Sequence, residues 1–103
     1  MRPVISIDEM VAETKGPQGR VEVCASAVGD YDEPAGRLTV RLNAFVRPTG
    51  TLAPDFHPDW IQLPAPQTVE EHVDYAEAAP LTREMFRAWV KKVRHALESR
   101  PAG

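Results

Sequence analysis

Three histidines are the residues best suited to acid and base chemistry or to metal binding. His57 lies between Asp55 and Asp59 in the segment DFHPDW, and His72 and His95 lie in segments that favour helices. No two of them have the i, i+4 spacing that places a pair of ligands on one helical turn. We therefore expect no metal site and no cofactor, and an enzyme with a site near His57 is the third of three functional hypotheses.

Other residue patterns that support catalysis are also missing from the sequence. It contains neither a GxSxG motif nor a glycine-rich phosphate-binding loop. The single cysteine, Cys24, has no partner for an internal disulfide, and its place in an apolar strand pattern predicts a packing role. The acidic segment with Asp30, Asp32 and Glu33 lacks the ligand spacing of a calcium loop, so we interpret it as a solvated hairpin tip. A non-catalytic protein is the favoured hypothesis.

The C-terminal segment carries a basic face. Residues 81–103 hold six Lys and Arg against two Asp and Glu, whereas residues 1–80 hold six against thirteen. Basic residues near the end of a helix can simply complement its dipole, or they can contact phosphates. The second functional hypothesis is therefore a nucleic-acid-binding regulator that uses Arg83, Arg87, Lys91, Lys92 and Arg94.

Length and composition are those of one ordinary globular domain, spanning residues 1–103. Hydrophobic residues make up 43% and charged residues 26% of the 103, and the net charge is -3. No stretch approaches the roughly 20 apolar residues that span a bilayer, and acidic residues appear too early for a secretory signal. We expect a cytoplasmic protein with no membrane partner.

Two strands are the clearest elements in the sequence. Residues 20–28 and 37–47 alternate apolar and polar side chains with a period of two. A polar segment with Gly and Pro joins them, which predicts an antiparallel hairpin. Both apolar rows reach one core only if paired residue numbers sum to an odd number, for example Ala27 with Leu38.

Helices are predicted at both ends of the chain. Ser6 and Glu9 form a capping-box pattern, which predicts a short N-terminal helix that stops at Gly16. Near the other end, Thr82 is the predicted N-cap of a long amphipathic helix. Its apolar stripe consists of Phe86, Trp89, Val90, Val93 and Leu97.

The region between the hairpin and the last helix is harder to assign. Residues 48–66 are rich in proline and predict an irregular connection, with one short candidate strand at 60–63. Thr68 and Glu71 form a second capping-box pattern that favours a short helix over residues 68–78. A strand is the competing interpretation, and Glu71 in its apolar row counts against it.

The resulting prediction is an α+β fold, an antiparallel sheet of about three strands with the N-terminal and C-terminal helices on one face. The opposite face of the hairpin then carries mixed polar residues and one aromatic, unless the proline-rich segment covers it. We expect a small protein-interaction or accessory module that binds a protein partner or forms a homodimer. Its predicted contact residues are Glu22, Arg41, Asn43 and Phe45.

Overall fold

The computed structural model describes residues 1–16, 19–49 and 61–98. Four strands are followed by one helix, and the strands lie in the sheet in chain order, each antiparallel to the next. The predicted α+β class with an antiparallel sheet and a C-terminal helix is confirmed. The elements are β1 (Arg2–Gly16), β2 (Gly19–Asp32), β3 (Arg37–Pro48), β4 (Gln67–His72) and α1 (Tyr75–Glu98).

The predicted N-terminal helix is wrong, because Arg2–Gly16 forms the long edge strand β1. Its pairing with β2 is interrupted by bulges between Pro3 and Ile5 and between Met10 and Ala12. Each bulge adds one residue and shifts the phase of the alternation. Apolar residues that contact the core are therefore three or four apart, a spacing that resembles a helix; they are Val4, Ile7 and Val11.

The predicted β2–β3 hairpin is confirmed, and so is the parity of its register. Ala27 pairs with Leu42 rather than with Leu38, so both apolar rows still point to the same side of the sheet. The strands extend further than predicted and leave only Glu33–Gly36 as the turn. Gly36 has a φ of 61° and donates a hydrogen bond to the carbonyl of Glu33, the i to i+3 bond of a β-turn.

The fourth strand, β4, lies where the sequence favours a short helix over residues 68–78. Gln67–His72 pairs with the first half of β3, from Arg37 to Leu42. Glu71 lies in the row of Leu38, on the core side, yet it is exposed because β4 is the edge of the sheet. A charged residue is tolerated in an apolar row at such an edge. Glu71 therefore did not exclude a strand, and the prediction of a helix here is wrong.

The last helix begins seven residues before the predicted N-cap. It spans Tyr75–Glu98 and contains Pro80, so Thr82 is an interior residue and is fully buried. The Thr82 hydroxyl donates a 2.7 Å hydrogen bond to the carbonyl of Ala78 one turn earlier. The predicted apolar stripe is confirmed, since Phe86, Trp89, Val90 and Val93 are all buried.

The hydrophobic core lies between α1 and one face of the sheet. It contains the inward rows of β2 and β3 together with the helix stripe, and Ile61 from the connection before β4 joins it. The indole nitrogen of Trp89 donates a 2.8 Å hydrogen bond to the carbonyl of Asn43. Leu42 is the last β3 residue that pairs with β4, and Asn43 follows it directly. The helix therefore supplies a hydrogen-bond partner to β3 at the point where β4 no longer does.

Two further predictions concern the proline-rich region and membranes. Of the candidate strand at 60–63, residues 61–63 form no strand, and Trp60 lies outside the described residues. Whether residues 48–66 cover the hairpin face also depends on residues outside the described ranges. Among the described residues, no helix has the length and apolar content needed to cross a bilayer.

Candidate functional site

The side of the sheet opposite α1, here called the outer face, carries the predicted partner-binding residues. On this face Arg41 contacts Asp30 at 2.9 Å, and Arg47 contacts Glu22 at 2.7 Å. Asn43 and Phe45 occupy the same face of β3, and Phe45 pairs with Cys24 of β2. The structure thus brings Glu22, Arg41, Asn43 and Phe45 to one surface, but the charges of Glu22 and Arg41 already have partners in this chain.

Cys24 lies in the middle of the outer face and is only 2% exposed. Burial raises the pKa of its thiol, while the positive charge of Arg47 opposes this shift. The thiolate is the reactive form of cysteine, so a buried thiol with a raised pKa is unreactive at neutral pH. The predicted packing role of Cys24 is consistent with this burial.

We expect Cys24 to react with a thiol-specific reagent only when the protein opens, so labelling at pH 7 should be slow and should accelerate in denaturant. Because the folded-state pKa is raised, the contribution of the thiol to stability is fully present below its ordinary pKa. That contribution should be lost as the pH rises through the raised value. Fast labelling of the native protein at pH 7 would contradict the burial, and Cys24→Ala is the control for reagent background.

The acidic hairpin tip and the described histidines form no metal site. Asp30 contacts Arg41, Asp32 lies 3.8 Å from Arg37, and Glu33 forms an ion pair with Arg2. Within residues 1–16, 19–49 and 61–98, no group of three potential ligand side chains could hold a metal ion. The hypothesis of an enzyme site at His57 lies outside the described residues.

A groove runs between β1 and α1 at the edge of the sheet and has a volume of about 630 Å³. One wall consists of β1 residues Ile5, Ser6, Ile7 and Glu9. The other wall is the helix, which contributes Phe86 and Val90 at the bottom and four basic side chains above them. We call this feature the strand–helix groove; its basic residues are Arg83, Arg87, Lys91 and Arg94.

The basic side chains of the strand–helix groove are available to a ligand. All four are exposed, and none forms an ion pair with another described residue. Among the described residues that line the groove, Glu9 is the one carboxylate. Of the five residues predicted for nucleic-acid contact, the structure brings four together here, whereas Lys92 lies over the Trp89 ring at 5.6 Å.

The β1 wall of the groove is also a free sheet edge. Within the described part of the chain, β1 pairs only with β2, so its other side has no strand neighbour. Between the two bulges, Ile5–Met10 keeps regular pairing with β2 over six residues, and four of these residues line the groove. A regular edge presents a row of backbone N–H and C=O groups that an extended chain can bind.

One end of the groove is fixed by contacts between the start of β1 and the start of α1. The Arg2 guanidinium lies 4.6 Å from the centre of the Tyr75 ring, which packs edge to face against Tyr31 at 5.4 Å. The Tyr31 hydroxyl donates a 2.8 Å hydrogen bond to the carbonyl of Val73, in the link between β4 and α1. These contacts join the start of α1 to the start of β1 and to the end of β2.

Sequence reasoning found the helix wall of this site and missed the strand wall. Ile5, Ile7 and Glu9 lie together beside the basic residues because this segment is a strand and not the predicted helix. The signal that could have found it is the cluster of β-branched residues in this segment, including Val4, Ile5, Ile7 and Val11, which favours a strand over a helix.

Comparisons with protein-family models, with curated proteins and with solved structures found no match for this chain. Of the strand–helix groove and the outer face, the groove combines basic side chains with a strand edge, and neither has a partner among the described residues.

Proposed function

We propose that this protein is a small interaction module that binds an extended segment of a protein partner in the strand–helix groove. One observation carries this proposal. The six-residue edge Ile5–Met10, which has no second strand neighbour among the described residues, lies beside four basic side chains that form no ion pair with a described residue. Addition of a strand to a sheet edge supplies backbone hydrogen bonds, and the adjoining wall supplies specificity.

The apolar bottom of the groove supports a peptide ligand. Ile5 and Ile7 are partly exposed there, while Phe86 and Val90 are 5% and 8% exposed. Alternate side chains of an added strand point to the helix side of the sheet and would cover this apolar surface. The interaction module was the first functional hypothesis from the sequence, and the proposal moves its contact surface from the outer face to the groove.

A nucleic-acid-binding regulator is the competing proposal and shares the same basic residues. Single-stranded nucleic acid is usually bound by aromatic side chains on which bases stack. In the groove the one described aromatic side chain is Phe86, which is buried, and Glu9 would oppose a phosphate backbone. These two features favour a peptide.

The test is selection of eight-residue peptides from a random library, followed by comparison of three variants. We expect Arg87→Glu combined with Lys91→Glu to weaken binding of the selected peptides by about tenfold or more, since two attractive contacts become repulsive. The outer-face variants Arg41→Glu and Phe45→Ser are matched controls and should bind normally. The denaturant midpoint of each variant is measured in parallel, because Arg41→Glu breaks the ion pair with Asp30 and Phe45→Ser removes a half-buried ring.

Two outcomes would contradict the proposal. Loss of binding in the outer-face variants with full binding in the groove variant would return the contact surface to Arg41 and Phe45. Failure to select any peptide, together with salt-dependent binding of single-stranded RNA or DNA that the groove variant abolishes, would favour the nucleic-acid regulator instead.

A further inference from the structure

The spacing of the basic side chains in the strand–helix groove constrains the sequence of its ligand. Arg83, Arg87 and Lys91 are each four residues apart on α1. Four residues of helix advance by about 6.0 Å, and two residues of strand advance by about 6.6 to 6.8 Å. Alternate residues of a strand can therefore face successive basic residues of the helix.

This match requires the helix to run alongside β1, and two contacts establish its direction. A β-carbon placed on Gly29 would lie 2.6 Å from the hydroxyl oxygen of Thr82, so Thr82 lies directly over Gly29, the partner of Ile5. Seven residues later along the helix, the indole nitrogen of Trp89 donates its hydrogen bond to the carbonyl of Asn43, and Asn43 pairs with Ser26 of β2.

Ser26 in turn pairs with Asp8 of β1, so the two contacts mark levels three residues apart on β1. Three strand residues advance by about 10 Å, and seven helix residues advance by about 10.5 Å. The helix therefore runs in the same direction as β1, and the shared lining of the groove shows that Arg83 to Arg94 lies beside Ile5 to Glu9.

We infer that the ligand of the groove is an acidic peptide segment with carboxylates at alternate positions, paired to β1 so that these carboxylates face Arg83, Arg87 and Lys91. This inference rests on the proposed function. Four cations against one carboxylate give the groove a positive charge, whereas the chain as a whole has a net charge of -3. The acidic ligand thus complements the groove and would be repelled by most of the remaining surface.

A second copy of this chain is a poorer fit as the ligand. Its own free strand is β1, which carries Asp8, Glu9 and Glu13 but places Asp8 and Glu9 at consecutive positions on opposite faces. One of these two carboxylates would face away from the basic wall.

The experiment titrates three synthetic peptides into isotope-labelled protein and follows backbone amide shifts by nuclear magnetic resonance, which detects weak binding. The first peptide has eight residues that alternate Glu and Thr. The second has the same composition in two blocks, four Glu followed by four Thr, so its net charge is unchanged but its carboxylates fall on both faces. The third alternates Gln and Thr and carries no side-chain charge.

We expect the alternating Glu peptide to shift the amides of Ile5–Met10 and to bind about tenfold more tightly than either of the others at low salt. Glu9→Gln should tighten its binding by about twofold to fivefold, because the one opposing carboxylate is removed. Arg87→Gln should weaken it without changing the denaturant midpoint.

Equal binding of the alternating and blocked Glu peptides would overturn the inferred spacing. Equal binding of the Gln peptide would overturn the acidic ligand while leaving strand addition intact. If none of the three binds but library-selected peptides shift the Ile5–Met10 amides, the inference falls and the proposed function stands. If no peptide shifts these amides, both fall, and amide shifts confined to the outer face would lead to the same conclusion.

Discussion

Replacing Trp89 with alanine should destabilise the protein by about 3 to 5 kcal/mol, the usual cost of removing a large buried aromatic side chain. Trp89 is 2% exposed and belongs to the helix stripe that packs on the sheet. Its indole also donates the hydrogen bond to the carbonyl of Asn43, which would lose its partner. A small domain with a total stability of roughly 5 to 15 kcal/mol would lose a large fraction of it.

Urea denaturation of Trp89→Ala and Trp89→Phe separates packing from hydrogen bonding. Phenylalanine keeps most of the ring volume and lacks the donor, so Trp89→Phe should cost less, about 1 to 3 kcal/mol. Ala88→Ser, at the neighbouring exposed position, is a control that should change stability by less than about 0.5 kcal/mol. If Trp89→Ala unfolded at the same urea concentration as the native protein, the packing of α1 on the sheet would be contradicted.

A second large effect is expected at Gly29, where the helix approaches the sheet most closely. A β-carbon at this position would lie 2.6 Å from Oγ1 of Thr82, which is too close, and 3.2 Å from its Cγ2, which is a tight contact. Either Thr82 must change its rotamer and lose the hydrogen bond to Ala78, or the helix must move away from β2. Gly29→Ala should therefore cost about 1 to 3 kcal/mol despite the small size of the added group. The measurement is again the free energy of unfolding in urea.

Thr82→Ala supplies the matched partner for a double-mutant cycle. It removes Oγ1 and Cγ2, and the nearest remaining atom, the β-carbon, lies at an ordinary 3.4 Å. Alone it should cost about 1 kcal/mol, since the hydrogen bond to Ala78 is lost. The double variant should be more stable than the sum of the single effects predicts, by about 1 kcal/mol or more. Additive effects would place Thr82 away from Gly29 and remove one of the two contacts that align α1 with β1.

The parts of the fold that the sequence predicted well are those in which a single periodicity persists. Alternation in 20–28 and 37–47 is uninterrupted in β2 and β3, and the stripe from Phe86 to Val93 keeps one helical face. In each case, burial of one face requires the observed secondary structure. The register parity follows from the same requirement, whereas the exact pairing depends on the length of the turn.

The errors arise where a tertiary feature alters the pattern. Two bulges in β1 convert strand alternation into helix-like spacing, and Ser6 and Glu9 form a capping-box pattern that is typical of the start of a helix. In β4, exposure at the sheet edge permits Glu71 in an apolar row. Neither a bulge nor an edge position is encoded in one short segment, because both depend on the neighbouring strand.

The two walls of the strand–helix groove differ in how well the sequence predicted them. Its basic wall was predicted from the charges of the last helix, and its second wall became apparent only when residues 2–16 proved to be a strand at the edge. The outer-face residues Glu22, Arg41, Asn43 and Phe45 stay a prediction, with Arg41→Glu and Phe45→Ser as their test. Two of these four residues form ion pairs within the chain, and for this reason the groove is the preferred contact surface.

Hydrogen exchange at the backbone amides of Ile5–Met10 tests the free edge of β1 most directly. In the protein alone, the amides that point away from β2 should exchange within seconds, while those paired with β2 are protected. Addition of a groove-binding peptide should slow the outward amides, since they then donate to an added strand. Outward amides that are already protected in the free protein at low concentration, or that stay unprotected when a peptide is bound, would contradict docking at this edge.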